Sequence, residues 1–238
     1  MWFSTQSGIK KVSQIPRSVG AESIFPSEKV RSLGVVLDRE LKLKSHIAAI
    51  TSLCFFQLRQ IRHIRRYLSM DAAKTLVQSF VSSRIDYCNS LLANAPEGQI
   101  NGLQRILNAS ARMVLKLDRS VHVLRPLVRD QLHWLRAPER IEYKLCTLVY
   151  KSLHGLAPSY LAELCKPVDT VAYRGNLRSA ARGELVVPRH KLSTYGTRAF
   201  CIAGPSAWNA LPITLRNPNL RNFCKDLKTH LFKKSYVL

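Results

Sequence analysis

Residues 45–68 read SHIAAITSLCFFQLRQIRHIRRYL, and this stretch decides the fold class. Apolar residues recur in it every three or four positions, which is the spacing of one face of an amphipathic helix. The recurring positions are Ile47, Ile50, Cys54, Leu58, Ile61, Ile64 and Leu68. The stretch therefore predicts a helix of about six turns with one side against a core, and hence a mainly α protein.

The opposite face of this predicted helix is basic. Arg59, Arg62 and Arg66 share that face at helical spacing, and His63 and Arg65 lie beside them. A polar helix face has no structural need for so many cations, so contact with nucleic-acid phosphates is one interpretation. The other interpretation is an ordinary solvated face.

Two further helices follow in the sequence. Ser69 is a good N-cap residue and Asp71 suits a first helical turn, so a second helix is predicted to run to about Leu92. A third helix is predicted from Gly98 to Leu117. Its basic residues are Arg105, Arg112 and Lys116, which join the candidate phosphate contacts. Residues 41–120 are thus predicted to form a bundle of three antiparallel helices.

Residues 15–37, before the bundle, alternate and turn in the manner of a β-hairpin. Gly20 marks a turn, and the run from Val30 to Leu37 has the composition of a strand. Two or three short strands are not stable alone in water. This piece, within residues 1–40, is therefore expected to need a partner sheet or the helices that follow.

Residues 121–238 predict a C-terminal helical region with shorter elements. Helices are expected near residues 122–132, 137–154, 158–165 and 219–234, with an aromatic segment around Phe200 and Trp208. Residues 166–198 hold seven Lys or Arg against Asp169 and Glu184 and have few helix signals. We predict a basic, partly mobile loop over that range.

The chain is strongly basic along its length. Lys and Arg number 37 against 15 Asp and Glu, which gives a net charge of +22. Residues 41–120 and 121–238 carry nets of +8 and +12, so the excess is not confined to a tail. This distribution favours polyanionic partners, namely RNA, DNA or their hybrid bound through the phosphate backbone. The alternative is a basic surface that serves solubility alone.

Cysteine usage and hydropathy favour an intracellular protein, in the nucleus, the cytoplasm or both. The six cysteines show no Cys-x-x-Cys spacing, so buried, reduced thiols are the simplest interpretation. Lys10 and Lys11 precede any apolar region that a secretory signal would need, and no long uncharged apolar stretch is present. We expect no membrane partner and no small-molecule substrate.

Catalytic and metal-binding patterns are weak in this sequence. Polymerase chemistry needs carboxylates that converge on magnesium, and no two acidic residues are neighbours. Asp86 stands alone before Tyr87 and Cys88, on a predicted helix, so an ion pair or capping role with Arg84 is favoured. No Gly-x-Ser-x-Gly motif occurs either. We predict no catalytic residue, no metal ligand and no cofactor.

Two tryptophans and two histidines have alternative roles. Trp134 and Trp208 could stack on nucleic-acid bases, but both lie in apolar stretches, which favours the core. His133 and His154 suit core or helix-end positions, with Gly155 as the left-handed residue that ends a helix.

Five segments carry a resemblance to one family. They are VRSLGVVLD at residues 30–38, SRIDYCNSLL at 83–92, LHWL at 132–135, LHGLAPSYL at 153–161 and AGPSAWNALP at 203–212. Their order and spacing are similar to the part of LINE-type, jockey-like non-LTR retrotransposon reverse transcriptases that follows the catalytic palm. The resemblance covers almost the whole chain. Segments around Val121–Pro126 and Leu135–Pro138 depart from the family pattern.

The resemblance implies a role for each part of the chain. Residues 1–40 would hold the end of the palm, with Met1, Trp2 and Phe3 on its last strand, and a primer-grip-like hairpin with Leu33, Gly34 and Val35 at its centre. Residues 41–120 would be the thumb, which grips the template–primer duplex. The palm aspartates would lie upstream, so this chain is expected to be a truncated, non-catalytic portion of an RNA-directed DNA polymerase.

Two other interpretations of the resemblance stay open. The chain could be a basic helical module retained by a host for nucleic-acid or protein interaction. It could also be a product without a selected function, whose exposed hairpin edge lowers its solubility.

Overall fold

The structure is a computed structural model that describes residues 1–11, 16–118, 124–171, 178–190, 196–216 and 222–236. Within these ranges the protein is mainly helical, and its β-strands are confined to residues 17–38. The predicted fold class is confirmed at this level, because long amphipathic stretches do form the helices. The likeness of the first helices to a polymerase thumb stays a prediction.

Two β-hairpins occupy the N-terminal part, although the sequence predicts one. The strands are β1 (Arg17–Val19), β2 (Glu22–Ile24), β3 (Lys29–Ser32) and β4 (Val35–Asp38). β1 pairs with β2 and β3 pairs with β4, both antiparallel, in two separate sheets. Pro26 lies between β2 and β3 and has no backbone N–H for a ladder, which helps to separate the sheets. The first turn falls at Gly20, as predicted.

The strand predicted at Met1, Trp2 and Phe3 is not formed. Residues 1–5 are irregular, and a short helix, α1 (Gln6–Ile9), follows them with Thr5 as its N-cap. A strand needs a neighbour for its backbone hydrogen bonds, and the described strands pair only with one another.

Ten further helices follow the hairpins in the described ranges. They are α2 (Lys44–Ile64), α3 (Met70–Val77), α4 (Ser83–Asp86), α5 (Glu97–Val114), α6 (Leu124–Leu127), α7 (Ala137–Leu153), α8 (Ser159–Ala162), α9 (Arg178–Ala181), α10 (Phe200–Asn209) and α11 (Phe223–Tyr236). Short π-helical turns at Gln78–Ser82 and Val128–Leu132 continue α3 and α6, and 3₁₀ turns lie at Arg65–Tyr67, Asn89–Leu92, Val168–Thr170 and Gly196–Arg198.

α2, α3 and α5 run up, down and up. Ser69 caps α3 as predicted, with its hydroxyl 3.1 Å from the backbone nitrogen of Ala72. α3 returns along α2, since the Cys54 thiol lies 3.9 Å from the Val81 carbonyl oxygen. The predicted second helix ends at Asp86 rather than Leu92, because Cys88 is left-handed, with φ +51°.

The core has two clusters of buried side chains that meet at α7. The first joins α2, α3 and α5 to one side of α7, where Ile141 and Leu145 lie. The second packs the other side of α7, with Cys146 and Val149, against α10 and α11. The predicted division into residues 1–40, 41–120 and 121–238 stays a prediction.

Helices predicted for the C-terminal region appear in their predicted order, but α10 forms where only an aromatic segment was expected. α7 ends at Gly155, whose φ is +67°, and the Leu156 N–H donates to the Lys151 carbonyl, so the predicted left-handed cap is confirmed. His154 is the C-cap residue of α7, its predicted helix-end role. In the predicted basic loop, residues 172–177 and 191–195 lie outside the described ranges. The described remainder includes α9 and a bridge between Pro167 and Leu185. The start predicted for the last helix, near residue 219, also lies outside them.

Candidate nucleic-acid interface

A basic groove lies where α2 and α5 end side by side. The groove has a volume of about 510 Å³. Its lining residues are Arg62, Arg65, Arg66, Arg112, Met113, Lys116, Leu117 and Asp118. Four of the six predicted phosphate contacts therefore come together here, from two helices that are far apart in sequence.

The parallel course of α2 and α5 brings these cations together. Near the start of both helices, a Cβ on Gly102 would lie 3.9 Å from the Ile47 side chain. At the other end, Arg65 reaches the carbonyl groups of Met113 and Val114. Because the two helices end together, the basic residues of their last turns face one space.

Arg65 has a structural role that the sequence analysis did not assign. It is only 8% exposed. Its Nε lies 3.0 Å from the Met113 oxygen, its Nη2 lies 2.6 Å from the Val114 oxygen, and its Nη1 lies 2.8 Å from the Leu68 oxygen. The bonds to Met113 and Val114 satisfy carbonyl groups of the last turn of α5, where the regular i to i+4 hydrogen bonds of the helix stop. Arg65 thus clamps the end of α5.

Lys116 lies in the turn that ends α5. Its φ is +53°. Its N–H donates to the Met113 carbonyl, and the Leu117 N–H donates to the Arg112 carbonyl at 2.9 Å. This pattern is a Schellman motif with lysine at the position where glycine is usual. The left-handed turn fixes the backbone from which the Lys116 side chain enters the groove.

Arg66 and Arg112 differ in their surroundings within the groove. The Arg66 guanidinium carbon lies 4.6 Å from the centre of the Tyr67 ring, and Tyr67 itself is 73% exposed. Arg112 is partly buried, and its Nε has no hydrogen-bond partner among the described residues. A buried N–H without a partner is costly, so an anion or water near Arg112 would stabilise the groove.

The charge of the groove exceeds what the helix ends require. Cations near the C-terminus of a helix offset a macrodipole of about half a charge, so two helix ends account for about one charge. The lining residues that the structure describes carry a net charge of +4, from five cations and Asp118. An excess of about three charges remains after the dipoles are offset. Such an excess favours a bound polyanion over a purely structural role.

Arg59 and Arg105 lie outside the basic groove. Both are exposed. Arg59 is three positions before Arg62 on α2, and Arg105 is seven positions before Arg112 on α5, so each continues the face of a groove residue by helical spacing. They extend the basic surface along each helix.

The primer-grip-like residues form the tip of the second hairpin. Leu33 and Gly34 are the two turn residues, with φ of +45° and +82°, and this pair of positive values defines a type I′ turn. Leu33 is 88% exposed, whereas Val35 is 4% exposed and belongs to the core. The Tyr87 hydroxyl, 2.7 Å from the Leu33 oxygen, holds the tip against the end of α4.

The hairpin tip and the basic groove lie toward opposite ends of α2. His46, which packs under β4, and Arg62, in the groove, are sixteen positions apart, or roughly 24 Å along the helix axis. The structure therefore does not bring the two sets of predicted site residues together. They form two separate surfaces.

Asp86 has a different partner from the one predicted. Its carboxylate lies 2.8 Å from Arg140 on α7, and the ion pair is largely shielded on the arginine side. Arg84 instead donates from Nε to the Phe80 carbonyl. The predicted pair between Arg84 and Asp86 was wrong, because Asp86 faces α7.

The tryptophans and cysteines partly follow the sequence analysis. Trp208 is 2% exposed and donates from Nε1 to the Gly183 carbonyl, and Trp134 packs half-buried against the first cluster, so core packing is confirmed. Among the cysteines, Cys54, Cys146 and Cys165 are buried, while Cys88 and Cys201 are half-buried and Cys224 is exposed. Burial raises the pKa of Cys54 to about 11 and that of Cys146 to about 12.

Among the residues that the structure describes, no group of three or more His, Cys, Asp or Glu side chains is placed to hold a metal ion. None of the described helices combines the length and the apolar character that crossing a membrane requires.

Comparison with family models, curated proteins and solved structures found no match to this chain. The resemblance to non-LTR reverse transcriptases therefore stays a prediction from the quoted motifs.

Proposed function

We propose that this chain binds nucleic acid through the phosphate backbone, with the basic groove as its main contact. The observation that carries the proposal is the convergence of five cations from α2, α5 and the turns that follow them, against one carboxylate in the described part of the groove. Contacts to phosphates position a protein on nucleic acid without reading bases. Binding without sequence preference follows.

The proposal also concerns the kind of protein to which this sequence belongs. On the quoted motifs, we infer a non-catalytic portion of an RNA-directed DNA polymerase of the non-LTR kind, whose helices grip a template–primer duplex. The chemistry would belong to a palm outside this sequence. An intracellular location, in the nucleus or the cytoplasm, is part of the same proposal.

Four groove cations are available for phosphates, since Arg65 is bonded to three carbonyls. They are Arg62, Arg66, Arg112 and Lys116. Each neutralised phosphate contributes about −0.9 to the slope of log affinity against log salt on duplex DNA, so four contribute about −3.6. The affinity for a duplex is then expected to fall about 150-fold between about 50 and 200 mM salt.

Fluorescence polarisation tests the proposal directly. Labelled RNA–DNA hybrid, duplex DNA and single-stranded RNA are titrated with the folded chain at about 50 and 200 mM salt. A steep salt dependence with preference for the hybrid supports a duplex grip. Absence of binding at low salt, with a sample shown to be folded by circular dichroism, contradicts the proposal.

A matched charge reversal locates the contact. Arg62→Glu changes an exposed groove cation, and Lys228→Glu makes the same change at an exposed position of α11. The first variant is expected to weaken binding well beyond the second. Equal losses would mean that net charge, and not the groove, drives the interaction.

A further inference from the structure

A second groove lies between the second hairpin and the helices, and we call it the hairpin–helix groove. It has a volume of about 660 Å³, which is in the range of ligand-binding pockets. Its lining residues are Arg31, Gly34, Val36, His46, Ala49, Ile50, Leu53, Ser79, Ser83, Arg84 and Tyr87. Three elements therefore form it: β3–β4, the first half of α2, and the helical segment from residue 79 to 87.

The floor of this groove is aliphatic and its edge is basic. Val36, Ala49, Ile50 and Leu53 provide the aliphatic surface, and Leu53 is 40% exposed although it is a large apolar residue. Arg31 and Arg84 contribute two positive charges. Neither arginine has an ion pair with any residue in the described part of the chain. Apolar surface beside unpaired cations suits a partner that is both apolar and acidic.

The backbone around the groove departs from regular structure in two places. The wall opposite the hairpin begins in the π-helical turn Gln78–Ser82, which contributes Ser79. Single π-turns within helices are frequent at functional sites. At the rim, Leu33 is a left-handed, 88% exposed leucine in a turn that favours glycine or asparagine. Strain of this kind clusters at binding surfaces.

Hydrogen bonds hold the groove open in a defined shape. The Tyr87 hydroxyl donates to the Leu33 carbonyl, which ties the hairpin tip to the helical wall. At the base, the Val36 N–H points to Nδ1 of the buried His46 at 3.4 Å. The aliphatic floor is thus preformed, so a partner need not order it on binding.

Nucleic acid does not fit this surface. A backbone brings a phosphate charge with every nucleotide, and burying such charges on an aliphatic floor is costly. Along α2 the groove also extends from roughly 14 Å to roughly 24 Å from Arg62, between Leu53 and His46, so it is displaced from the cluster of cations that favours phosphates. An amphipathic helix fits better, because its apolar face enters a groove while its polar face remains in water.

We propose that the hairpin–helix groove binds an acidic amphipathic helical segment of another protein. Leucine-like or aromatic side chains of the segment would pack on Val36, Ile50 and Leu53, and its carboxylates would pair with Arg31 and Arg84. Leu33 would add an apolar contact from the rim. The proposal does not rest on nucleic-acid binding, because none of these contact residues lines the basic groove.

Peptide selection tests this proposal with the full chain. A phage library of random peptides of about 15 residues, enough for four helical turns, is selected on the protein. Peptides that also bind Ala49→Trp are removed, because a large side chain at Ala49 fills the groove. Enriched peptides should carry apolar residues at i, i+3, i+4 and i+7 with Asp or Glu on the flanks.

The enriched consensus is then synthesised with a fluorescent label, and its affinity is measured by polarisation. Arg31→Glu combined with Arg84→Gln is expected to weaken binding at least about tenfold. Arg62→Glu, in the basic groove, is the matched control and should leave peptide affinity unchanged. Circular dichroism and thermal unfolding verify that each variant is folded.

Three outcomes overturn the proposal. The first is that no peptide prefers the unmodified chain to Ala49→Trp. The second is an enriched consensus without acidic residues, or one that binds the variant changed at Arg31 and Arg84 with full affinity. The third is that this variant loses affinity for an RNA–DNA hybrid as strongly as Arg62→Glu does, which would assign the groove to the nucleic-acid surface.

Discussion

Arg65 and Arg62 lie three positions apart, yet the structure predicts opposite consequences for their removal. Arg65 is buried and donates to the carbonyls of Leu68, Met113 and Val114, whereas Arg62 is exposed in the basic groove. Arg65→Ala is therefore expected to lower stability and Arg62→Ala to lower nucleic-acid affinity. The pair separates a structural cation from a binding one.

The magnitude for Arg65 follows from its hydrogen bonds. Bonds from a charged donor contribute about 1.5–3 kcal/mol each. The bonds to Met113 and Val114 are buried, so their loss costs about 3–6 kcal/mol, part of which is offset because a buried charge is also removed. We expect a loss of about 3 kcal/mol. With a urea m-value near 3 kcal/mol per M, the unfolding midpoint falls by about 1 M.

Equilibrium urea unfolding, followed by circular dichroism, measures this shift for both variants. Arg65→Lys serves as the matched control, because it keeps the charge but cannot reach three carbonyls at once, so an intermediate loss is expected. An Arg65→Ala midpoint within about 0.2 M of the unmodified chain, which corresponds to about 0.6 kcal/mol, would refute the clamp.

Three shorter predictions concern Lys116, Tyr67 and His46. Lys116→Gln should reduce the slope of log affinity against log salt for duplex binding by about 0.9. A loss of stability with an unchanged slope would mean that Lys116 instead stabilises the C-terminal end of the α5 dipole. Tyr67→Ala should weaken binding to single-stranded RNA about fivefold or more through lost base stacking, while Tyr67→Phe retains it; equal weakening on a hybrid would instead implicate the position of Arg66. Burial lowers the pKa of His46 from its ordinary value of 6.5. As the pH falls, this histidine is therefore protonated in the unfolded chain before it is protonated in the folded chain. Stability is then full above about pH 6.5 and is lost as the pH falls through the folded pKa. Urea midpoints at pH 7.5 and 5 should differ less for His46→Gln than for the unmodified chain, and an equal difference would exclude His46 as the cause.

The long helices could be predicted from sequence, because their apolar spacing repeats over many turns. α2 and α5 begin and end within a few residues of the predictions. The break after Asp86 could not be read in the same way. Ser83 and Arg84 donate side-chain hydrogen bonds to carbonyls of the preceding turn. Side-chain bonds to the backbone can compete with the regular helical bonds, and packing decides which of the two forms.

The spacing of Arg65 in the sequence indicates a buried position, but its charge suggests an exposed one. Position 65 continues the apolar series through Leu58 and Ile61 at helical spacing, so a residue there faces the core. Two of the three carbonyls that accept its hydrogen bonds belong to a helix about fifty residues later, and only the fold brings them near.

The second hairpin was harder to predict because its turn residues are unusual. A leucine before Gly34 is a weak signal for a type I′ turn, which favours asparagine or aspartate at that position. The local preference is overridden here by contacts from outside the hairpin. Tyr87 bonds the Leu33 carbonyl, and its ring would lie 3.4 Å from a Cβ at Gly34, so the turn is specified by a helix end about fifty residues away.

The separation of the two grooves leads to a test of whether their partners exclude each other. A duplex that lies along α2 from the basic groove reaches the level of His46 after roughly 24 Å, or about seven base pairs. Its backbone would then approach Leu33 and the mouth of the hairpin–helix groove. An RNA–DNA hybrid clearly longer than seven base pairs should therefore compete with a groove-bound acidic peptide, and a shorter one should not. Competition that is independent of hybrid length would mean that charge repulsion, and not the geometry of α2, couples the two partners.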